Sequence, residues 1–177
     1  MNITGKKRKD LKFPSLKTDN SVKGEEMIVI YHCYGAAHSS VLSAAIHLGY
    51  LPEDRIPKIE EILKIQYFDR SSTGEIGIPF YYGSDSSGNM IYCQGMGGLD
   101  GVIKQLLKDV MGEYNIPEES VITVNSLKKV NILVRIGGFL SRKLGLIFPG
   151  RLIAAFGLKL GYRRFLKTVS TVKMNIS

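Results

Sequence analysis

The chain has 177 residues, 44% hydrophobic and 23% charged, values ordinary for one soluble globular domain with a real core. Two cysteines, Cys33 and Cys93, make no disulfide framework, and no Cys/His set has zinc-finger spacing. The net charge of +8 is uneven: all 16 Asp and Glu lie at or before Glu119, and residues 120–177 carry 11 Lys and Arg and no acid.

Residues 1–26 are polar and basic, with KKRK at 6–9, and read as a flexible N-terminal tail without a signal-peptide core. The domain is expected over 27–170, with 171–177 as a C-terminal tail. MIVIY (27–31) reads as a buried strand, HCYGAAH (32–38) as a tight loop, and 39–48 as a helix. Ser39 or Ser40 is its expected N-cap, and Gly49 stands past its end. Val41, Ala44, Ala45 and Leu48 form one packing face.

A further helix is expected within 51–65, with Pro57 in its first turn. IPFYYGSDSSGNMIYCQG (78–95) has the pattern of a β-hairpin, in whose turn Asp85 bonds the local backbone. Gly95, Gly97, Gly98 and Gly101 lead into a helix over 99–114, a weak phosphate-loop signal without GxGxxG or GxxxxGKS spacing. SVITVN (120–125) is a strand with Asn125 at its C-terminal end, where open α/β sheets place ligands. A helix over 127–144 is interrupted by Gly137 and Gly138, which permit a kink or close backbone approach. RLIAAFG (151–157) is expected as a buried strand and 159–169 as a final basic helix. The apolar stretch 144–160 is broken by Pro149, Arg151 and Lys159, so no transmembrane segment is expected and the compartment is the cytoplasm. Alternation of strands and helices predicts an α/β fold. It is a single three-layer domain, with a mainly parallel sheet, helices on both faces and one β-hairpin.

The combination YHCYGAAHSS, AAIHLG, YFDR, GSDSSGN, VNILVRIGGFLSRKLGL and GRLIAAFG resembles a family of small bacterial proteins, mostly from Firmicutes, classed as domain of unknown function 3189. The similarity covers roughly 27–170. It implies a cytoplasmic α/β domain without an established activity.

The strand–loop–helix around Cys33 is the expected site, because it aims backbone N–H groups and a helix dipole at one point. The leading reading is binding of a phosphate-bearing small molecule or nucleotide. In it, Gly35, Ala36, Ala37, Ser39 and Ser40 form the cradle with His32, Asn125 adds a hydrogen bond, and Arg135, Arg142 or Arg151 supply positive charge. Arg135 and Arg142 are seven residues apart and share a helix face. The alternative is a cysteine-dependent phosphatase-like or phosphoryl-transfer enzyme with Cys33 as nucleophile and His38 as its acid–base partner.

The spacing of Cys33, Gly35 and Ser40 resembles the loop of low-molecular-weight tyrosine phosphatases and arsenate reductases. Ser39 stands where those loops keep Arg, and the acid-free C-terminal part lacks their late Asp. Phosphocysteine-forming sugar-transport subunits match more loosely. No metal is assigned, since His32, Cys33 and His38 would need a further ligand such as Cys93. A Cys33–Cys93 redox pair rests on strand-end placement alone. A nucleic acid or acidic surface meeting helix 159–169 ranks third among partners. Cofactor and oligomeric state are left open.

Overall fold

The computed structural model describes residues 26–70 and 75–176; of the expected tail at 1–26, residues 1–25 lie outside the described residues. A four-stranded sheet has the order β2-β3-β1-β4. Its centre is β1 (Ile28–Cys33), parallel to β3 (Met90–Gly95) and to β4 (Val121–Asn125). At the edge, β2 (Pro79–Ser84) runs antiparallel to β3, with a register shift between Tyr81 and Gly83. The sheet is thus mixed and mostly parallel, an α/β arrangement. Registers Cys33↔Gly95 and His32↔Asn125 bring the C-terminal ends of the three parallel strands level. The loops that follow them therefore gather at one edge. In the turn between β2 and β3, Asp85 Oδ1 accepts from the backbone N–H of Ser87 and Asn89, as expected for a turn aspartate.

Strand alternation splits the buried residues. Val29, Tyr31, Ile91, Cys93 and Val124 share one core with Val41, Leu42 and Ala45 of α1 (Ser39–His47) and Leu158, Tyr162 and Phe165 of α5 (Ile147–Asn175). Removal of each Val, Leu, Ile or Phe side chain among them from water is worth about 1.5–3 kcal/mol. Ile30, His32, Tyr92 and Gln94 alternate onto the opposite face, also buried.

All nine residues of α1 are buried. Its N-cap is His38, without a side-chain cap, and not Ser39 or Ser40. The Ser40 hydroxyl is instead engaged with Cys33. Within 51–65 only α2 (Ile59–Leu63) is helical; Glu61 folds back to accept from Lys58 N–H at 2.6 Å. α3 (Asp100–Glu113) follows the Gly-rich turn as expected.

The expected helix over 127–144 divides. Leu127–Lys129 form a 3-10 turn, and α4 (Ile132–Lys143) starts afresh at Asn131. Asn131 Oδ1 accepts from Val134 N–H, and its Nδ2 donates to Gly157 O at 2.7 Å. One side chain therefore caps α4 and ties it to α5.

RLIAAFG is not a strand but part of the 29-residue α5, which also absorbs the basic segment 159–169 and runs on to bury Val172. The run is apolar all round because it is buried on two sides. Gly150, Ala154 and Gly157 meet α4, while Ala155 and Leu158 enter the core. A short apolar run of this kind does not distinguish strand from buried helix.

Candidate functional site

Cys33 ends β1, and the loop after it is locked to the turn after β3. Met96 N–H donates to Cys33 O at 2.9 Å, and Gly97 N–H to Tyr34 O at 2.8 Å. A Cβ at Gly95 would lie 3.0 Å from the Gly35 carbonyl carbon, so the two backbones meet where only glycine leaves room. Ala36 adopts φ 52°, a left-handed conformation disfavoured for a residue with a Cβ. That sharp turn delivers the chain into α1.

Behind the loop, Cys33 Sγ and Ser40 Oγ are 3.1 Å apart. In front of it, His38 Nε2 bonds Asp69 Oδ1 at 2.9 Å, and the Ser141 hydroxyl donates to the same oxygen at 3.0 Å. Arg142 Nη1 donates to the Asp69 carbonyl at 3.3 Å, and Asp69 N–H donates to Ala37 O at 2.9 Å. Burial pushes the Asp69 carboxyl up, but the hydrogen bond and charge of His38, with Ser141 and Arg142, outweigh it and hold the group below its ordinary range. Asp69 therefore acts as an ionised post joining loop, α1 and α4.

These elements enclose a cavity of about 460 Å³, within the range of small-molecule sites. Cys33, His38, Ser39, Arg135, Arg142 and Lys143 give it polar groups, while Leu127, Val130, Val134 and Phe139 form apolar wall. Gly138 passes close to the His38 ring, where a Cβ would stand 3.3 Å from Cε1.

Of the residues singled out from sequence, Cys33, Gly35, Ala37, His38, Ser39, Arg135 and Arg142 line this cavity together. Ser40 stands behind the thiol, and Ala36 is buried in the turn. Asn125 is at the right strand end, but its Oδ1 accepts from Leu127 and Lys128 N–H and caps the local turn. Arg151 lies elsewhere, donating to Leu63 O at 2.7 Å with its guanidinium over Phe68. His32 is buried on the opposite sheet face, where Lys104 and Asp100 of α3 influence its titration. Asp69, Ser141 and Lys143 join the site beyond the residues expected from sequence, and Gly138, expected only as a point of kinking or close approach, adjoins the His38 ring.

Cys33 and Cys93 are both free thiols. Burial pushes Cys93 well up, with Cys33 adding to the effect, so Cys93 stays a neutral core group. Among the described residues no group of three or more His, Cys, Asp or Glu is placed to hold a metal ion. His47 belongs to a separate network, with Nδ1 at 2.8 Å from the Tyr31 hydroxyl and Nε2 at 3.2 Å from Asp85. Both its ring nitrogens are occupied, which makes it a structural group of the opposite sheet end.

Comparison with curated proteins and with solved structures finds no match. The family described as "Protein of unknown function (DUF3189)" matches residues 28–174, across the sheet, the Cys33 loop and the α4–α5 pair. The chain belongs to that family.

Proposed function

We propose that the cavity beside the Cys33 loop binds a phosphate-bearing small molecule, a nucleotide being one candidate. The observation that carries this reading is the convergence of Arg135 and Arg142 from α4 on the cavity that the first turn of α1 also lines. The loop itself has Ser39 where a phosphatase loop has Arg, and α4 supplies guanidinium groups from outside the loop. Oriented N–H groups at the start of α1 add a partial positive charge without needing a counter-acid. His38, held by Asp69, offers a positioned imidazole beside them.

A charge-assisted hydrogen bond contributes about 1.5–3 kcal/mol. Replacing Arg135 and Arg142 together by Met is therefore expected to weaken phosphate or nucleotide binding by at least about 100-fold in titration calorimetry. The wild-type melting temperature should rise with ligand concentration, since a ligand selective for the folded state stabilises it. If inorganic phosphate, nucleotides and sugar phosphates all leave the melting temperature unchanged, the proposal fails.

A second reading, phosphoryl transfer through Cys33, draws on the 3.1 Å Cys33–Ser40 contact, a hydroxyl placed to stabilise a thiolate. Cys33→Ser is the discriminating variant. Under the enzyme reading it abolishes hydrolysis of an aryl phosphate and leaves ligand affinity within about threefold. Absence of turnover by the wild type eliminates that reading and leaves the binding proposal standing.

A further inference from the structure

We propose that the turn joining α4 to α5 docks on the surface of an anionic phospholipid bilayer. Leu144, Leu146, Ile147 and Phe148 are 55%, 49%, 62% and 77% exposed. Scattered exposed apolar residues are ordinary, but four large ones in five consecutive positions at the α4–α5 junction form a patch that water solvates poorly. Gly145, at φ 68°, reverses the chain between them. Phe139 extends the patch from the preceding helical turn and is 54% exposed.

Charge selects the occupant. Arg142 and the exposed Lys143 immediately precede the apolar tip, and no acid occurs after Glu119. An apolar tip with a basic collar matches the chemistry of a membrane interface. The tip enters the boundary between headgroups and acyl chains, and the collar remains level with lipid phosphates. Among the described residues no helix is long and apolar enough to cross a membrane, so the contact is interfacial. A second copy of this chain fits less well, because a two-fold contact would set Arg142 and Lys143 against their own counterparts. A nucleic acid satisfies the collar and leaves Leu144, Leu146 and Ile147 unburied.

Phe139, Arg142 and Lys143 border both the tip and the cavity described above. Docking therefore places the cavity mouth at headgroup level. The inference does not depend on what the cavity holds.

The chain contains no tryptophan, so Phe148→Trp introduces a single fluorescent reporter at the most exposed point of the tip. Vesicles of phosphatidylcholine with about one-third phosphatidylglycerol should shift its emission to the blue, and phosphatidylcholine alone should not. In cosedimentation the wild type should prefer the anionic vesicles by at least about tenfold. Ile147→Ser with Phe148→Ser should lower that binding by a further tenfold or so, without changing the melting temperature, because both side chains are solvent-exposed. The proposal is overturned if anionic vesicles leave the emission unchanged or the double Ser variant binds them as well as wild type. It is also overturned if the blue shift follows protein concentration without vesicles, which identifies a second copy, or if RNA reproduces it at equal charge.

Discussion

Gly137→Ala is expected to destabilise the protein by about 3 kcal/mol, the upper part of the usual range for forcing a methyl group into a filled space. An added Cβ would collide with Ala154 N, and would stand 2.6 Å from Gly150 O and 2.8 Å from Ala154 Cα. All three atoms belong to the α5 backbone, which cannot rotate away as a flexible side chain can. The opposing gain in helix propensity is only about 1 kcal/mol. Gly112→Ala in α3 isolates that gain, because nothing lies within 4 Å of its Cβ position. It should raise stability by roughly 0.5–1 kcal/mol in denaturant unfolding, opposite in sign to Gly137→Ala. The melting temperature of Gly137→Ala should fall by about 10 °C for a chain of this size. Equal stability of Gly137→Ala and wild type would mean that α4 and α5 do not pack at this crossing. The same crossing matters for the cavity, since α4 holds Ser141 and Arg142 against Asp69. A displaced α4 should therefore weaken ligand binding as well as folding.

The parts of this architecture that were legible in the sequence are those written in local periodicity. The apolar run at 27–31 ends at a loop of small residues, and the structure places β1 and the start of α1 there, with His32 and Cys33 in the strand and not in the loop. Arg135 and Arg142 could be assigned to one helix face from their spacing, and both line the cavity. Their direction towards the Cys33 loop came from tertiary packing. Asp69 illustrates why the remainder was hidden. Its partners His38 and Ser141 are 31 and 72 residues away, and neither contact leaves a local pattern. α5 was hidden for a different reason: glycines that normally punctuate a chain here mark points of contact with a neighbouring helix. Asn125 had the right place and the wrong employment, because a turn two residues on claimed its side chain.

His32 could have been separated from the site by a simple argument, and it leads to the second large effect. Neighbouring residues in a strand point to opposite faces, so a Cys33 side chain in the cavity sends the adjacent imidazole away from it. His32 is 1% exposed on that other face, and among the described residues its Nε2 has no hydrogen-bond partner. Burial, helped by Lys104 and Lys128 and opposed by Asp100, lowers its pKa from 6.5 to about 4. Between those two values the unfolded chain binds a proton that the folded chain does not. Stability must then fall as the pH drops from about 6.5 to about 4, by roughly 3 kcal/mol for this one group, and level off below. Asp69 and Asp85 act in a lower window. Both carboxyls are held below their ordinary value of 3.8, so their contributions are lost only as the pH falls further. His47, whose pKa burial also lowers, adds to the slope in the upper window. His32→Leu should remove most of the loss between pH 6.5 and 4 in denaturant titrations. At pH 7 it should be neutral or stabilising by about 1 kcal/mol, because it replaces an unpaired buried nitrogen with an apolar group. Phosphate affinity should not change, whereas a ligand role for His32 requires that it fall. An unaltered pH slope in His32→Leu would show that the imidazole is protonated in the folded protein and that Nε2 has a partner after all.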